Sequence, residues 1–287
     1  MKTDALVVQG LTKRYPEFLL DHISFRVPRG TIVGLIGENG AGKSTTLKAI
    51  LQLIRKDAGA VMILGKEEAD IDFEMRNRIG VVFDGNNFPQ SMTPKQLGHL
   101  LATVYVAWDD QQYQQMLETF SLPADRKIQK LSKGMQMKLS IAVALSHQAE
   151  LLILDEATAG LDPIVRDDLL DMLLDFIQDE THAVLLSSHI TSDLEKIADS
   201  IVFLHEGKVI FEKPKDELRY QYGVLKCGKQ QFDALDPADW IAYRKQDYEW
   251  QVLVENRVAA ERKYPKAIVD PATIDEIMLL YIKGNLR

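Results

Sequence analysis

The stretch GENGAGKST, which begins at Gly37, constrains the fold of this chain more than any other segment. Its positions 37 and 42–44 fit the pattern G-x-x-x-x-G-K-[ST], whose glycines let backbone N–H groups surround an anion. An apolar, β-branched run precedes it and apolar residues follow at helical spacing, so we predict a strand, a phosphate-binding loop and a helix. Lys43 would reach the outer phosphates, with a catalytic role there, and Ser44 could ligate Mg²⁺. The candidate nucleotide contacts in the loop are Gly37, Asn39, Gly40, Gly42, Lys43, Ser44 and Thr45.

An apolar run further along the chain ends in two acids. Residues 151–154, LLIL, have the pattern of a buried strand, and Asp155 and Glu156 follow directly. Ligands of open α/β sheets bind at the carboxyl ends of strands. Downstream of a phosphate loop, Asp155 is therefore the candidate Mg²⁺-side carboxylate, and Glu156 is the candidate base that orients and deprotonates an attacking water. The alternative is that both acids are simply solvated at a strand end.

The net charge indicates what kind of phosphate the chain binds. There are 34 Lys and Arg residues against 42 Asp and Glu, which gives a formal net charge of −8. A generally basic face for wrapping duplex nucleic acid is therefore excluded, so we expect small phosphate compounds and no nucleic-acid partner. With 46% hydrophobic and 26% charged residues in 287, the composition is that of one large globular domain, or of a domain with a small appendix.

Cysteine content and hydropathy bear on the compartment. Cys227 is the only cysteine, so neither an intramolecular disulfide nor a cysteine metal cluster can form. The segment MKTDALVVQG does not resemble a signal peptide, and no apolar run approaches the roughly 18 residues of a membrane helix. We therefore expect a cytoplasmic protein. If it works at a membrane, another chain supplies the membrane-spanning segments.

The remaining hydropathy patterns divide the chain into regions. Residues 1 to about 30 show the partial alternation of an antiparallel β layer, and residues from about 86 to 150 have a helical pattern. After residue 150, strand-like runs alternate with helical stretches, which predicts a buried parallel sheet interrupted by a helical insert. The runs are 151–154, 183–187 and 201–204, and the helical stretches lie around 167–178 and 193–198.

The pattern changes again near residue 215, where a polar, aromatic-rich tail begins. We predict in it a strand at 250–254, a charged helix around 257–264 and a final helix that Thr273 caps with Glu276 three residues on. The final helix has one apolar stripe, which predicts packing against the main domain or a second copy rather than a cofactor site. The stripe consists of Ile274, Ile277, Met278 and Tyr281.

The segment LSKGM, residues 131–135, lies between the phosphate loop and the acidic strand, and here the sequence resembles the ATP-binding cassette (ABC) ATPases. Their signature is L-S-G-G-Q; this chain keeps Leu131, Ser132 and Gly134 and departs at the other two positions. Ser132 also has the pattern of an N-cap, so its hydroxyl and the free N–H donors of a helix would form a second anion site. The plainer alternative is a capped helix. The resemblance implies that Ser132 and Gly134 contact ATP.

Other motifs of that family follow in order. Residues 159–162, AGLD, resemble the D-loop that follows the catalytic glutamate across the dimer interface. Ser187-Ser188-His189 resembles the switch-histidine segment, which implies that His189 contacts a γ-phosphate during catalysis. Tyr15 stands where the family places an adenine-stacking aromatic residue, although a tyrosine in a β-rich opening is often part of a core. The resemblance covers residues 1 to about 215.

One position departs from the family more sharply. After the strand Ile79 to Phe83 the family usually carries a glutamine that touches Mg²⁺ and the attacking water, and this chain has Asp84. A carboxylate binds Mg²⁺ harder than an amide but is one methylene shorter than glutamine. We expect Asp84 to keep the metal-binding and catalytic role. The alternative is that it caps a turn before Gly85 and Asn86.

The resemblance implies the fold class, an α/β P-loop NTPase of the ABC cassette type. Such a cassette has a mixed sheet, an antiparallel β layer and a helical insert, here at about 86–150. The cassette would span residues 1–215. Residues 216–287 would form a small α+β appendix with an accessory or dimerisation role and no catalytic residue of its own.

The implied activity is Mg²⁺-dependent ATP hydrolysis by the nucleotide-binding subunit of a bacterial ABC transporter, at the cytoplasmic face of the membrane. Two head-to-tail cassettes would clamp ATP and drive integral membrane permease subunits, and the complete set of motifs favours a homodimer. LSKGM, DEATAGLD and the final PATIDEIMLLYIKG look like subunits that export peptides, antimicrobials or lipophilic drugs. The open alternatives are an importer subunit, a soluble ABC ATPase acting on DNA or ribosomes, and an unrelated P-loop enzyme such as a kinase.

Overall fold

The computed structural model describes residues 4–83, 85 and 88–287, so Asp84 lies outside the described residues. In chain order the elements are β1 Asp4–Arg14, β2 Leu19–Pro28, β3 Ile32–Ile36, α1 Lys43–Ile50, β4 Ala58–Ile63, β5 Lys66–Glu67, α2 Phe73–Arg76, β6 Ile79–Val82, α3 Pro94–Leu101, α4 Asp110–Thr119, α5 Lys133–Leu145, β7 Leu151–Asp155, α6 Pro163–Phe176, β8 Ala183–Ser188, α7 Thr191–Ile197, β9 Ser200–His205, β10 Lys208–Pro214, α8 Lys215–Gln221, β11 Gly223–Cys227, α9 Lys229–Phe232, β12 Ala242–Lys245, β13 Trp250–Val254, α10 Arg257–Lys263, β14 Ile268–Pro271, α11 Ile274–Lys283 and β15 Asn285–Leu286.

The central sheet has the strand order β10-β9-β3-β8-β7-β6. All neighbours are parallel except β10, which runs antiparallel to β9. In the register, Ile36 lies opposite Ser188, and Asp155 lies opposite Ser187. The loops that leave β3, β7 and β8 therefore emerge at one edge of the sheet, which brings three separate sequence motifs together.

The central strands are buried on both faces, which explains why they are continuous apolar runs. In β7, Leu151 and Ile153 point into a core shared with the antiparallel sheet β2-β1-β4-β5 and with α1. Leu152 and Leu154 point to the opposite face, into a core shared with the helical insert. The predicted antiparallel opening layer and parallel sheet are both confirmed.

The insert between β6 and β7 is helical, as predicted, and side chains cap its helices α3 and α4. Thr93 and Gln96 form a capping box at α3, and Asp109 caps α4. The Tyr113 ring packs on Gly98, where an added Cβ would lie only 2.5 Å from the ring, and its hydroxyl donates to the Pro94 carbonyl oxygen. No helix in the described part of the chain combines the length and apolar character needed to cross a bilayer.

Helix α6 begins earlier than the sequence pattern predicts. The sequence pattern predicts a helical stretch around 167–178, whereas the helix spans Pro163–Phe176. The Asp162 side chain accepts a hydrogen bond from the Val165 N–H, and proline at the first helical position needs no donor partner. The D-loop motif therefore also contains the helix start.

The C-terminal region forms a third, antiparallel sheet with the order β14-β11-β13-β12-β15. One face is covered by α9 and α10 and holds its own small core. On the other face, Val224 and Leu253 join the main core beside α11. Helix α11 packs on the cassette: the Ile274 N–H donates to Glu195 of α7 at 3.0 Å, and the Tyr281 ring lies beside Phe203.

This packing predicts how the tail contributes to stability. Ile277 is fully buried in the shared core, so Ile277→Ala should lower the free energy of unfolding by about 2–5 kcal/mol. Ile268→Ala is the matched control, because that side chain is 65% exposed in the same region, and it should cost less than about 0.5 kcal/mol. Chemical denaturation measures both. Nucleotide affinity should stay unchanged in Ile277→Ala, and a folded variant that has lost it would contradict an accessory role for the tail.

Candidate nucleotide-binding site

The phosphate loop joins β3 to α1, and three glycines shape it. At Gly37 an added Cβ would lie 2.4 Å from the Leu204 carbonyl oxygen, so a larger residue does not fit beside β9. Gly42 is the N-cap of α1 with a φ of 110°, a left-handed conformation that glycine adopts without strain. No described atom lies within 4 Å of a Cβ added at Gly40. The outer side of the loop is thus open, at the N-terminus of α1 where an anion is favoured.

Lys43 crosses the base of this loop with its side chain only 6% exposed. Its Nζ donates to the carbonyl oxygen of Gly37 at 2.7 Å and to that of Glu38 at 3.3 Å. The same nitrogen lies 3.3 Å from Glu156 Oε1. The ammonium group therefore pairs with the acid that directly follows β7.

Glu156 lies directly after β7 with a φ of 53°, which is uncommon for a residue with a side chain. Its backbone N–H bonds to the carbonyl and hydroxyl oxygens of Ser187. Its Oε2 lies 2.5 Å from His189 Nδ1 and accepts from the His189 N–H at 3.4 Å. The carboxylate is therefore held between Lys43 and His189.

Asp155 occupies the last position of β7 and is 5% exposed. Its Oδ1 accepts a hydrogen bond from the Ser187 hydroxyl at 2.6 Å, and Ser187 is fully buried. Within the described residues, this bond leaves Oδ2 and one lone pair of Oδ1 for another ligand. Strands β7 and β8 thus fix the carboxylate at the sheet edge.

These groups line one cavity of about 650 Å³. Within the described ranges, no group of three or more His, Cys, Asp or Glu side chains is gathered as a metal site. The cavity lining includes the Ser44 hydroxyl and the Asp155 carboxylate, and oxygen is the ligand type that Mg²⁺ prefers. The lining residues are Phe18, Glu38, Asn39, Gly40, Gly42, Lys43, Ser44, Thr45, Asp155, Glu156, Ala159 and His189.

The aromatic residue in this lining is Phe18, which the sequence pattern did not single out. Its ring reaches the phosphate loop, since a Cβ added at Gly42 would lie 3.0 Å from Phe18 Cζ. Tyr15, the predicted adenine-stacking residue, does not line the cavity and is 40% exposed. The two residues share a turn, because the Tyr15 N–H donates to the Phe18 carbonyl oxygen. The signal that could have found Phe18 is this shared turn in YPEF.

Comparison with known proteins decides the family. The ABC transporter family profile matches residues 20–159. The chain is 34% identical over 212 residues to the bacitracin transport ATP-binding protein BcrA of Bacillus licheniformis. The aligned region covers 73% of this chain and 69% of that protein. The chain belongs to the ABC transporter ATP-binding family. It is an ABC ATPase that binds ATP.

Other relatives and solved structures support the same family assignment of this ABC ATPase. The lantibiotic transport ATP-binding protein SrtF of Streptococcus pyogenes is 33% identical over 214 residues, which covers 74% of this chain and 91% of that protein. A solved ATP-binding subunit of an ABC transporter is 32% identical with a TM-score of 0.69, and covers 75% of this chain and 92% of that one. A dimeric bacterial ABC transporter cassette, 24% identical, shares the fold with a TM-score of 0.66 over 73% of this chain and 98% of that one.

The signature segment of this ABC ATPase lies apart from the cavity. Ser132 caps α5, and its hydroxyl accepts a hydrogen bond from the Met135 N–H at 3.2 Å. Gly134, in the first turn, faces Leu161 of the D-loop, with 3.7 Å between an added Cβ and the leucine side chain. Neither Ser132 nor Gly134 lines the cavity that holds Lys43. Asp84 lies outside the described residues, so its role stays a prediction.

Proposed function

We propose that this chain is the ATP-hydrolysing subunit of a bacterial exporter that expels peptide antibiotics or lipophilic drugs. The observation that carries the proposal is the set of relatives matched over about three quarters of the chain. These are named for bacitracin transport, for lantibiotic transport and for fluoroquinolone export, the last in Mycobacterium tuberculosis at 34% identity. The subunit would act at the cytoplasmic face of the membrane, bound to integral membrane permease subunits.

A second copy of the chain would complete the catalytic site. The cavity with Lys43 holds the donors for the phosphates, whereas Ser132 and the N–H groups of the first turn of α5 point elsewhere on the same chain. Both features would favour an anion, since each lies at a helix N-terminus, which carries a positive partial charge. In a head-to-tail homodimer, Ser132 and Gly134 of one copy would close over the ATP held by the other.

The contacts of Lys43 and Glu156 suggest the order of events. Arriving β- and γ-phosphate oxygens would draw Lys43 Nζ away from Glu156 Oε1, because they carry more charge than one carboxylate. Glu156 would then stay oriented by His189 and by its backbone bonds to Ser187, with Oε1 free to accept a proton from water. His189, whose side chain is half exposed, would contact the γ-phosphate.

The residues present fit a magnesium ion as cofactor. Ser44 and Asp155 would hold it, with Asp84 as a further candidate ligand from the segment after β6. Bound Mg²⁺ would neutralise charge on the phosphate oxygens during transfer to water. The hydrogen bond from Ser187 to Asp155 would keep that carboxylate aimed at the cavity.

The permease would bind at an apolar pocket of about 280 Å³ between the end of α1, β6 and Tyr105 of the helical insert. Leu53 lies at this pocket and is 61% exposed, and Phe73 on the neighbouring α2 is 59% exposed. Large exposed apolar side chains around a pocket are typical of protein contact sites. Phe83, which precedes Asp84 in sequence, lines the same pocket, so a bound permease segment would touch the segment that leads to the nucleotide.

A reconstituted complex tests the proposed function. The chain is co-expressed with the membrane protein encoded beside it, and ATP-driven accumulation in inside-out vesicles is measured for bacitracin, a lantibiotic, a fluoroquinolone and daunorubicin. We expect accumulation of at least one compound with the native chain and none with Glu156→Gln. Leu53→Asp should abolish co-purification, whereas Tyr248→Asp, at a fully exposed hairpin position, should not. A complex that hydrolyses ATP but moves none of these compounds, or moves a nutrient inward, would contradict an export function.

The adenine-binding surface gives a second test. We predict that Phe18→Ala lowers the affinity for both ATP and inorganic triphosphate roughly threefold to tenfold, because Phe18 packs against the phosphate loop at Gly42. Tyr15→Ala should lower the affinity for ATP by a similar factor and leave the affinity for inorganic triphosphate unchanged, since a stacking residue touches only the base. Calorimetric titration distinguishes the two. Unchanged ATP affinity in Tyr15→Ala would refute its stacking role.

A further inference from the structure

A buried acid lies on α7, close to the site but outside its cavity. Asp193 is the third residue of α7 and is only 4% exposed, and its Oδ2 has no hydrogen-bond partner among the described residues. A buried carboxylate without a compensating charge is costly, so its charge partner matters. Among the described residues it forms an ion pair with Arg166 of α6, whose Nη1 lies 4.0 Å from Asp193 Oδ1.

Arg166 also contacts the D-loop. Its Nη2 donates to the Leu161 carbonyl oxygen at 3.4 Å, and its buried Nε has no acceptor within the described residues. One guanidinium group thus touches both the segment that follows Glu156 and the helix that follows His189. Arg166 and Asp193 together link the two segments that flank the carboxylate.

We propose that Arg166, which is partly exposed, and the buried Asp193 form an ion pair that positions His189 and the D-loop relative to Glu156. This inference rests on the proposed roles of Glu156 and His189. Helix α7 begins two residues after His189, so a shift of Asp193 moves the imidazole away from Glu156 Oε2. Neither residue lines the cavity that holds Lys43, so both would act through other residues.

A structural role for the pair would have a different signature. Asp193 lies in the first turn of α7, where an acid stabilises the helix whatever its partner. Removing one member of the pair also destabilises the fold, because it leaves the other charge without its partner, most of all the buried Asp193. The test must therefore separate turnover from stability.

The experiment uses the full chain and measures ATPase kinetics and thermal unfolding for Arg166→Met, Asp193→Asn and the double variant. We expect each single variant to lose stability and to lower kcat about tenfold to a hundredfold, with the KM for ATP changed less than about threefold, as for a misplaced catalytic group. The double variant should regain stability, since no unpaired charge remains, yet keep the low kcat.

The matched control is Lys196→Met. Lys196 also joins α7 to α6, through Asp167 at 2.6 Å and Asp171 at 2.8 Å, but on the exposed side. The Lys196→Met substitution should leave kcat unchanged. If kcat recovers with stability in the double variant, the pair is only structural and the proposal fails.

Measuring Glu156→Gln in the same experiment distinguishes a failure of the positioning role of Arg166 and Asp193 from a failure of the proposed base. If it abolishes turnover while Arg166→Met keeps the native kcat, only the positioning role is wrong. If Glu156→Gln turns over at the native rate, the proposed base is wrong, and the positioning role falls with it.

Discussion

Replacing Glu156 by glutamine should slow ATP turnover by roughly 10² to 10⁴, the factor typical of a lost general base. Glutamine keeps the size of the side chain and its capacity for hydrogen bonding to His189, but it cannot accept the proton of the attacking water. ATP should bind at least as tightly as to the native chain, because the nucleotide no longer competes with the Lys43–Glu156 ion pair. Single-turnover hydrolysis and equilibrium ATP titration measure the two effects separately.

Glu150 offers the matched control for this substitution. It directly precedes β7, at the opposite end from Glu156, and pairs with Arg29 and Arg78 outside the cavity. Glu150→Gln should lower the unfolding temperature and leave the turnover number near the native value. A Glu156→Gln chain that hydrolyses ATP at the native rate would show that another group is the base.

Lys43→Ala should weaken ATP binding by about tenfold to a hundredfold, because hydrogen bonds to charged groups contribute about 1.5–3 kcal/mol. The ammonium group is the cation that lines the cavity, and its contacts with Gly37 and Glu38 already aim it at the loop. Hydrolysis should fall further, since Lys43 would stabilise the charge that develops on the γ-phosphate. Calorimetry with a non-hydrolysable ATP analogue measures the affinity.

Lys48→Ala controls for the loss of a positive charge on the same helix. Lys48 lies in the last turn of α1 and is exposed, so its removal should change ATP affinity less than about twofold. Equal losses of ATP affinity in Lys43→Ala and Lys48→Ala would mean that overall charge, and not a direct phosphate contact, governs ATP binding.

Local signals in the sequence predicted much of the fold. The glycine pattern around Gly42, the apolar run that ends at Asp155 and the cap signals at Ser132 and Thr273 each depend on a few neighbouring residues. Elements of this kind are readable because propensity, capping and burial act at short range. The early start of α6 was missed because Asp162 was assigned to a loop motif and not also to a helix cap.

Long-range pairings could not be predicted in the same way. The contact between Lys43 and Glu156 requires β3 and β7 to be placed on either side of β8, and no spacing encodes that order. The approach of Phe18 to Gly42 likewise depends on how the antiparallel layer packs over α1. The link between Arg166 and Asp193 joins helices whose start points had to be known first.

A cross-linking measurement tests most directly whether two copies of the chain share each ATP. In a Cys227→Ser, Glu156→Gln background, one tagged chain carries Asn39→Cys in the phosphate loop and a second, differently tagged chain carries Ser132→Cys. Two cysteines bridge only when their Cα atoms lie within about 7 Å. We predict a covalent dimer containing one chain of each kind, formed with ATP and absent without it. If ATP drives dimerisation by light scattering but no such mixed dimer forms, the head-to-tail arrangement is wrong.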